Sequence, residues 1–384
     1  MTAFITLTDT ILPVRIVLVG AGGMGRNWVR VLSASPDVEL VGLVDLNLAA
    51  ADAAVRDAGL DSVRTGTNLS EVAGATGAQA VVNVTIPAAH HPVNVEALFA
   101  GLPVLCEKPV APTVSEALSL AASAEVTGQL LMISQSRRYY RTLAALKARV
   151  QSLGDVGVAT TEFFKAPHFG GFREEMAHVL LVDMAIHAFD VARYLLDQDP
   201  VSVYCEEFNP SWSWYAGDAA ATAVFEMSDG ARYIFTGSWC SDGFETSWNG
   251  RWRISGARGT ASWDGENCPT VDLVAADRSV KAGEWKDVSD DAPEEIAGSL
   301  AEFIHALRTG DVPSGEVHGN VLSLAMVEAA VRSAETGQRV RIEQVLDEAH
   351  VSAVANECRP DVKAGLAAWA SPSQALRAPV PVGR

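Results

Sequence analysis

Val14-Arg15-Ile16-Val17-Leu18-Val19-Gly20-Ala21-Gly22-Gly23-Met24-Gly25 runs from an apolar strand pattern straight into a glycine-rich turn. A helical stretch follows, then a second strand pattern from Val38 to Val44 with Asp45 at its tip. In such a unit Gly20 lets the chain turn tightly off the strand, Gly22 lets backbone approach a pyrophosphate, and Gly25 lets the helix pack close to the strand. Phosphates then meet free N–H groups at a helix start, beside Gly23 and Met24. Glycine spacing alone is weak evidence in a glycine-rich chain. The acidic residue about 20 positions past the last glycine completes the dinucleotide-binding pattern. An Asp there bonds the ribose 2′-hydroxyl and repels a 2′-phosphate. Leu46, Asn47 and Leu48 follow with no base among them, so the expected cofactor is NAD rather than NADP.

Strand and helix patterns alternate onward from this unit. A helix is expected over Leu48 to Ala58, a strand near Ser62, and an apolar strand from Ala78 to Ile86 that Pro87 stops. A helix from about Pro92 to Ala100 and a buried strand, Pro103 to Cys106, come next. Ser115 to Thr127 reads as helix and Leu130 to Gln135 as strand. This alternation predicts a parallel sheet covered on both faces, with ligands at the carboxyl ends of its strands. Past about Arg138 long strand-like runs take over, and Asp229-Gly230 marks a hairpin. Consecutive hairpins predict a second, largely antiparallel α/β domain. The expected division is residues 1–137, 138–345 and a C-terminal extension, 346–384, with an appended helix and a loosely held end.

With 384 residues the chain exceeds one ordinary core, and its 48% hydrophobic content is ample for burial. The formal net charge of −18 argues against nucleic acid or an anionic membrane as partner. No apolar run approaches the ~18 residues of a membrane span. The five cysteines are scattered and never in a C-x-x-C pair, which fits reduced thiols of a cytoplasmic protein and suggests no zinc site or other metal.

The strand ending in Cys106-Glu107-Lys108-Pro109 puts Lys108 at the carboxyl edge of the parallel sheet. An ammonium there can bond a substrate hydroxyl and stabilise the alkoxide that forms as hydride leaves. A surface Lys paired with Glu107 is the competing reading. Asp183 and His187 stand four apart in a helical pattern from about Glu174 to Leu196, so they share a face. His is the natural base for a hydroxyl proton near neutral pH, and a carboxylate can orient it. An ordinary helix-surface pair has the same spacing. Asp190, on that face too, is assigned a structural role.

Gly20-x-Gly22-x-x-Gly25, the apolar strand to Pro87 with His90-His91 after it, Glu107-Lys108-Pro109 seven residues past Gly101, and Asp183-x-x-x-His187 occur together in this order. Their order and spacing resemble the glucose-fructose oxidoreductase/inositol dehydrogenase/rhizopine catabolism (Gfo/Idh/MocA) family over about residues 14 to 340. The resemblance implies an N-terminal Rossmann domain and a C-terminal α/β domain with an open, mostly antiparallel sheet that mediates oligomerisation, as a dimer or tetramer. It implies Lys108 as hydroxyl anchor, His187 as general acid/base and Asp183 as substrate ligand and orienter of His187. Pro87, His90 and Glu107 join Lys108 on the cofactor side, and the Lys108–Pro109 bond is often cis in the family. Counting from Gly101 selects His90 and counting from Pro87 selects His91. Ser136-Arg137-Arg138 stands where the family carries Asn-x-Arg, and Met176-Ala177-His178-Val179 where it commonly carries three glycines.

Lys165, His168 and Arg173 form a local basic cluster that either meets an acidic sugar or solvates a loop. Trp212, Trp214 and Tyr215 either stack on a sugar ring or belong to the sheet core or an interface. The expected function is NAD-dependent oxidation of a secondary hydroxyl of a sugar, inositol or related polyol. Two alternatives use the same fold: a redox-neutral glycosidase acting by oxidation, elimination and re-reduction, and a non-catalytic NAD-dependent sensor.

Overall fold

Val14–Val19 is apolar everywhere except Arg15, and as β1 it is buried at every other position. Strands buried on both faces are the mark of a covered parallel sheet. The computed structural model describes residues 3–275, 277–282 and 292–377. Trp285, Pro379 and Pro381 lie outside the described residues.

The chain forms two compact units. In the first, β1 is followed by α1 (Gly23–Ala34), β2 (Val38–Val44), α2 (Leu48–Asp57), β3 (Arg64–Gly66), α3 (Leu69–Thr76), β4 (Ala80–Asn83), α4 (Pro87–Phe99), β5 (Val104–Glu107), α5 (Val114–Thr127) and β6 (Leu131–Ser134). The six strands pair in parallel in the order β3-β2-β1-β4-β5-β6. The reversal between β1 and β4 is the switch point where a dinucleotide settles on such a sheet. The strand expected to run to Ile86 ends at Asn83, and Pro87, instead of stopping it, opens α4, because a proline at the first helical position gives up a donor that has no partner there anyway.

The second unit holds α6 (Arg141–Ser152), β7 (Val156–Phe164), α7 (Ile186–Leu196), β8 (Pro200–Phe208), β9 (Ala220–Met227), β10 (Arg232–Ser238), β11 (Arg251–Gly256), β12 (Gly259–Trp263), β13 (Thr270–Val274) and β14 (Val280–Ala282). Later in the chain come α8 (Glu295–Thr309), α9 (Val317–Thr336), β15 (Val340–Arg341), α10 (Ile342–Asn356), α11 (Pro360–Ala368) and α12 (Pro372–Ala375). The second unit's nine strands run in the order β14-β13-β12-β11-β7-β10-β9-β8-β15. Among the described residues only the central β10–β7 pair is parallel; every other pair of this sheet is antiparallel. One face is aromatic core. Phe225, Tyr233, Phe235 and Trp252 are almost fully buried, and Phe189 of α7 meets the first three edge-on at 4.8–6.2 Å. These rings are therefore interior, and the opposite face carries Thr222, Val224, Ile234 and Thr236 at partial or full exposure.

The continuous helix expected from Glu174 to Leu196 is broken into parts. A single 3-10 turn (Gly171–Arg173) precedes it, a short π-helical segment (Leu180–Ala185) lies within it, and α7 starts at Ile186. The appended helical segment after Val345 comprises most of α10 together with α11 and α12, which cluster with the first unit; the chain beyond Arg377 lies outside the described residues. Val362, Leu366 and Leu376 are buried there, and Trp369 Nε1 donates to Glu125 Oε2 of α5 at 3.0 Å. Pro360 and Pro372 open α11 and α12. The first unit also takes in Ile296–Val321, and Ile133 of β6 donates to the Gly315 carbonyl at 2.7 Å. Among the described residues no helix is long and apolar enough to cross a membrane.

Candidate functional site

The glycine turn is built by close approach. Gly20 has φ +110°, and a Cβ on it would stand 2.7 Å from the Val84 carbonyl oxygen. A Cβ on Gly25 would stand 2.1 Å from the Gly20 oxygen, so neither position admits a side chain. Gly22 and Gly23 differ: nothing lies within 4 Å of their missing side chains. Gly22 caps α1 without a side-chain hydrogen bond, and the first turn holds no acidic residue. Open space over an uncapped helix start is what a pyrophosphate requires. Met24 beside them is exposed. Asp45 is fixed at the tip of β2: Oδ2 accepts from Ala21 N at 2.7 Å and Oδ1 from Asn47 N at 2.8 Å. The residues present therefore fit a dinucleotide.

Lys108 follows the last residue of β5, and the Lys108–Pro109 bond is cis. The neighbouring Glu107 carboxylate is buried, with Oε1 on Trp28 Nε1 at 2.9 Å and Oε2 on the Lys108 backbone N–H at 3.2 Å. Burial raises the Glu107 pKa, opposed by the Trp28 bond and the Lys108 charge. Pro87 begins α4 past the end of β4. His90 is wholly buried, with Nδ1 2.6 Å from the Pro109 carbonyl and Nε2 3.1 Å from the Thr85 carbonyl. Burial lowers its pKa against the pull of those carbonyls. Both ring nitrogens face backbone carbonyls, which joins His90 to the Lys108–Pro109 turn. His91 bonds Ser119 Oγ at 3.0 Å.

In the second unit Asp183 lies in the π-helical segment and His187 at the start of α7. Arg173 Nε donates to Asp183 Oδ2 at 2.7 Å, and its guanidinium packs over Phe172 and Phe169 at 4.8 and 5.5 Å. Phe169 stacks on Trp248 at 6.2 Å, and Lys165 lies over Trp248 at 5.0 Å while paired with Glu245 at 2.7 Å. His168 stacks on Trp214 at 3.7 Å. Trp212 is exposed, with its Nε1 donating to the Cys240 carbonyl at 3.1 Å. Lys165, His168, Arg173 and Trp214 thus fall on an aromatic wall that also carries Tyr215 and Trp239, stacked at 6.0 Å. Lys165 and Arg173 are each balanced by a carboxylate.

His187 is nearly buried and lines a cavity of about 10 Å³, room for about one water, with Arg137, Thr161, Trp248 and Asn249. Arg137 was not singled out by the sequence. It donates to Asn249 Oδ1, and burial lowers its pKa to about 10. The signal was present in Ser136-Arg137-Arg138, at the position of the family's Asn-x-Arg. Arg138 instead grips Asp190 through two 2.7 Å bonds, and Ser323 Oγ adds a third at 2.7 Å. Asp190 has the structural role assigned to it.

Residues 14–135 match the sequence model of an oxidoreductase family with an NAD-binding Rossmann fold, and residues 144–262 match that of the GFO/IDH/MocA C-terminal domain. An uncharacterized protein of Sinorhizobium fredii is 27% identical over 355 residues, covering 88% of this chain and 98% of its own length. An inositol 2-dehydrogenase of Rhizobium meliloti is 25% identical over 339 residues, covering 86% of this chain and 99% of its own. A solved oxidoreductase from Agrobacterium radiobacter, in complex with NAD+, L-tartaric acid and magnesium, has a TM-score of 0.76 at 20% identity, covering 87% of this chain and 99% of that one. At that identity the likeness shows the fold: a parallel Rossmann sheet plus a second, mostly antiparallel sheet.

Proposed function

Because this chain belongs to the Gfo/Idh/MocA family of NAD-binding oxidoreductases, we propose that it oxidises a secondary hydroxyl of a sugar, inositol or related polyol and releases the ketone. One observation carries the reading. Lys108 follows β5 at the same sheet edge as the glycine turn after β1, with β4 between them. Two strand spacings are about 10 Å, which suits a pyrophosphate at the turn and a reacting carbon near the ammonium. The matching of an inositol 2-dehydrogenase over nearly its whole length supports the substrate class.

NAD, when bound, supplies the hydride acceptor. The chain's own residues supply the rest. Lys108 donates to the substrate oxygen and stabilises its developing negative charge. His187 takes the hydroxyl proton at a ring nitrogen, the role of a general base. Asp183, fixed by Arg173, bonds a neighbouring hydroxyl and orients the imidazole. The aromatic wall offers a flat apolar face to a sugar ring. Lys165 and Arg173 already meet Glu245 and Asp183, which favours a neutral polyol over an acidic one. Asp45, with no base in the three residues after it, favours NAD over NADP. The open second sheet, through its Val224 and Ile234 face, is the surface for a homo-oligomer in the cytoplasm.

The test incubates the purified chain with NAD and a panel of inositols, sugars, uronic acids and aryl glycosides, following absorbance at 340 nm and aglycone release together. NADH growth with a free polyol is expected. Aglycone release without net NADH would establish a redox-neutral glycosidase instead, and silence on both channels would favour a sensor.

A further inference from the structure

Away from the residues assigned to hydride transfer, three segments of the second unit bring His178, Glu207 and Asp218 together, with one ligand atom from each lying within 4.8 Å of the others. His178 precedes the π-helical segment, Glu207 is near the end of β8, and Asp218 lies just before β9. The antiparallel β8–β9 register, in which Glu207 faces Ala221 and Phe208 faces Ala220, brings the Asp218 segment beside Glu207. The loop is pinned there, since Asp218 N donates to the Ala177 carbonyl at 2.8 Å, and a Cβ on Gly217 would strike that same oxygen at 2.2 Å.

The Glu207 side chain is only 1% exposed. One oxygen faces His178 Nδ1 at 2.6 Å, while the other, Oε1, is buried with no hydrogen-bond partner among the described residues. A buried carboxylate oxygen left unsatisfied is costly unless a cation or donor meets it. The charged groups acting on Glu207 are His178, Asp218 and Glu335, so carboxylates outnumber the one cationic candidate. The exposed Glu335 carboxylate lies 3.6 Å from His178 Nε2. A carboxylate behind the non-ligating nitrogen of a metal-bound histidine is the usual outer partner that fixes its ring.

We propose that His178, Glu207 and Asp218 bind a divalent transition metal of the zinc type, with Glu335 orienting His178 and water completing the shell. One imidazole and two carboxylates suit zinc better than magnesium, which prefers an all-oxygen set. Tetrahedral donors about 2.1 Å from one ion stand about 3.4 Å apart, so the 2.6 Å His178–Glu207 contact opens as the ion enters and Asp218 closes in. The ion ties the segment leading to Asp183 and His187 onto the sheet. It is structural and takes no part in hydride transfer, so the proposal stands or falls independently of the dehydrogenase reading.

The full chain, stripped with EDTA, is dialysed against ZnCl2, desalted and assayed for metal content and melting temperature. About one zinc per chain and a rise in melting temperature with Zn2+, not seen with Mg2+, are expected. H178A and D218N, both at partly exposed positions, lose the zinc and the shift, while H305A, at an exposed histidine of the first unit, keeps both. No retained zinc in the unaltered chain, equal retention in H178A and D218N, or an equal response to Mg2+ would each overturn the proposal. Should a variant fail to fold, Co2+ loading of the unaltered chain decides: visible d–d absorption that zinc displaces supports the site, and its absence rejects it.

Discussion

The indole of Trp28 in α1 donates to the buried Glu107 carboxylate at 2.9 Å, and the same carboxylate receives the backbone N–H of Lys108. The helix that follows the glycine turn is therefore tied to the residue proposed to hold the substrate hydroxyl. In Trp28→Phe the packing is largely kept and the donor is lost, leaving a buried carboxylate short of one bond. Destabilisation of about 1–3 kcal/mol is expected in urea titrations. The accompanying fall in kcat should exceed any change in the KM for NAD.

Asp45 bonds the turn through Ala21 N and its own strand tip through Asn47 N. Asp45→Ser is expected to weaken NAD binding about tenfold, equal to about 1.4 kcal/mol, and to narrow the preference over NADP. Calorimetric titration with both cofactors checks this. Tighter NADP than NAD binding by the unaltered chain would overturn the ribose argument.

Lys108→Ala and His187→Ala are expected to lower kcat by about 10²–10⁴-fold. NAD affinity, read by nicotinamide fluorescence or calorimetry, should change little. Full turnover in either variant would remove that residue from the proposed chemistry.

His318 sits between Glu316 Oε1 at 2.6 Å and Glu125 Oε1 at 3.0 Å, with 7% of its side chain exposed. Burial alone would lower its pKa, but the two carboxylates outweigh it and raise the value to about 10. A folded value above the unfolded one of about 6.5 means this stabilisation is complete below about pH 6.5 and is lost as pH rises through about 10. The melting temperature should therefore fall between about pH 7 and pH 10. His318→Gln should start lower and show a flatter profile over that window; an unchanged slope would refute the role.

Asp190 is almost fully buried and meets Arg138 through two bonds. Removing one partner of such a pair typically costs about 3–5 kcal/mol, and Asp190→Ala is expected to fall in that range by chemical denaturation. Arg138→Lys should recover little, because an ammonium cannot reproduce the two-pronged contact.

The first unit was largely legible because glycine spacing, strand burial and the acidic tip are local signals within about thirty residues. The second sheet was legible as hairpins, though which of its faces is interior was not: Tyr233 and Phe235 read the same whether they meet α7 or a partner. The π-helical segment around Asp183 escaped the sequence because apolar residues recur there much as they would in an α-helix. Arg137 beside His187, and Glu207 beside His178, escaped because each depends on groups brought together by tertiary packing. An appended C-terminal helix was legible, but its division into three helices was not, because prolines mark helix starts as readily as breaks.

The contact of Trp369 with Glu125 also bears on how the protein is made. The sheet that takes the cofactor is synthesised first, but it borrows its covering from residues as late as Leu376. The second unit, finished earlier along the chain, can reach its own core while the first still waits for its last helices. A nascent chain therefore acquires its finished cofactor unit only after residues as late as Leu376 have been made, well after the strands of the second unit.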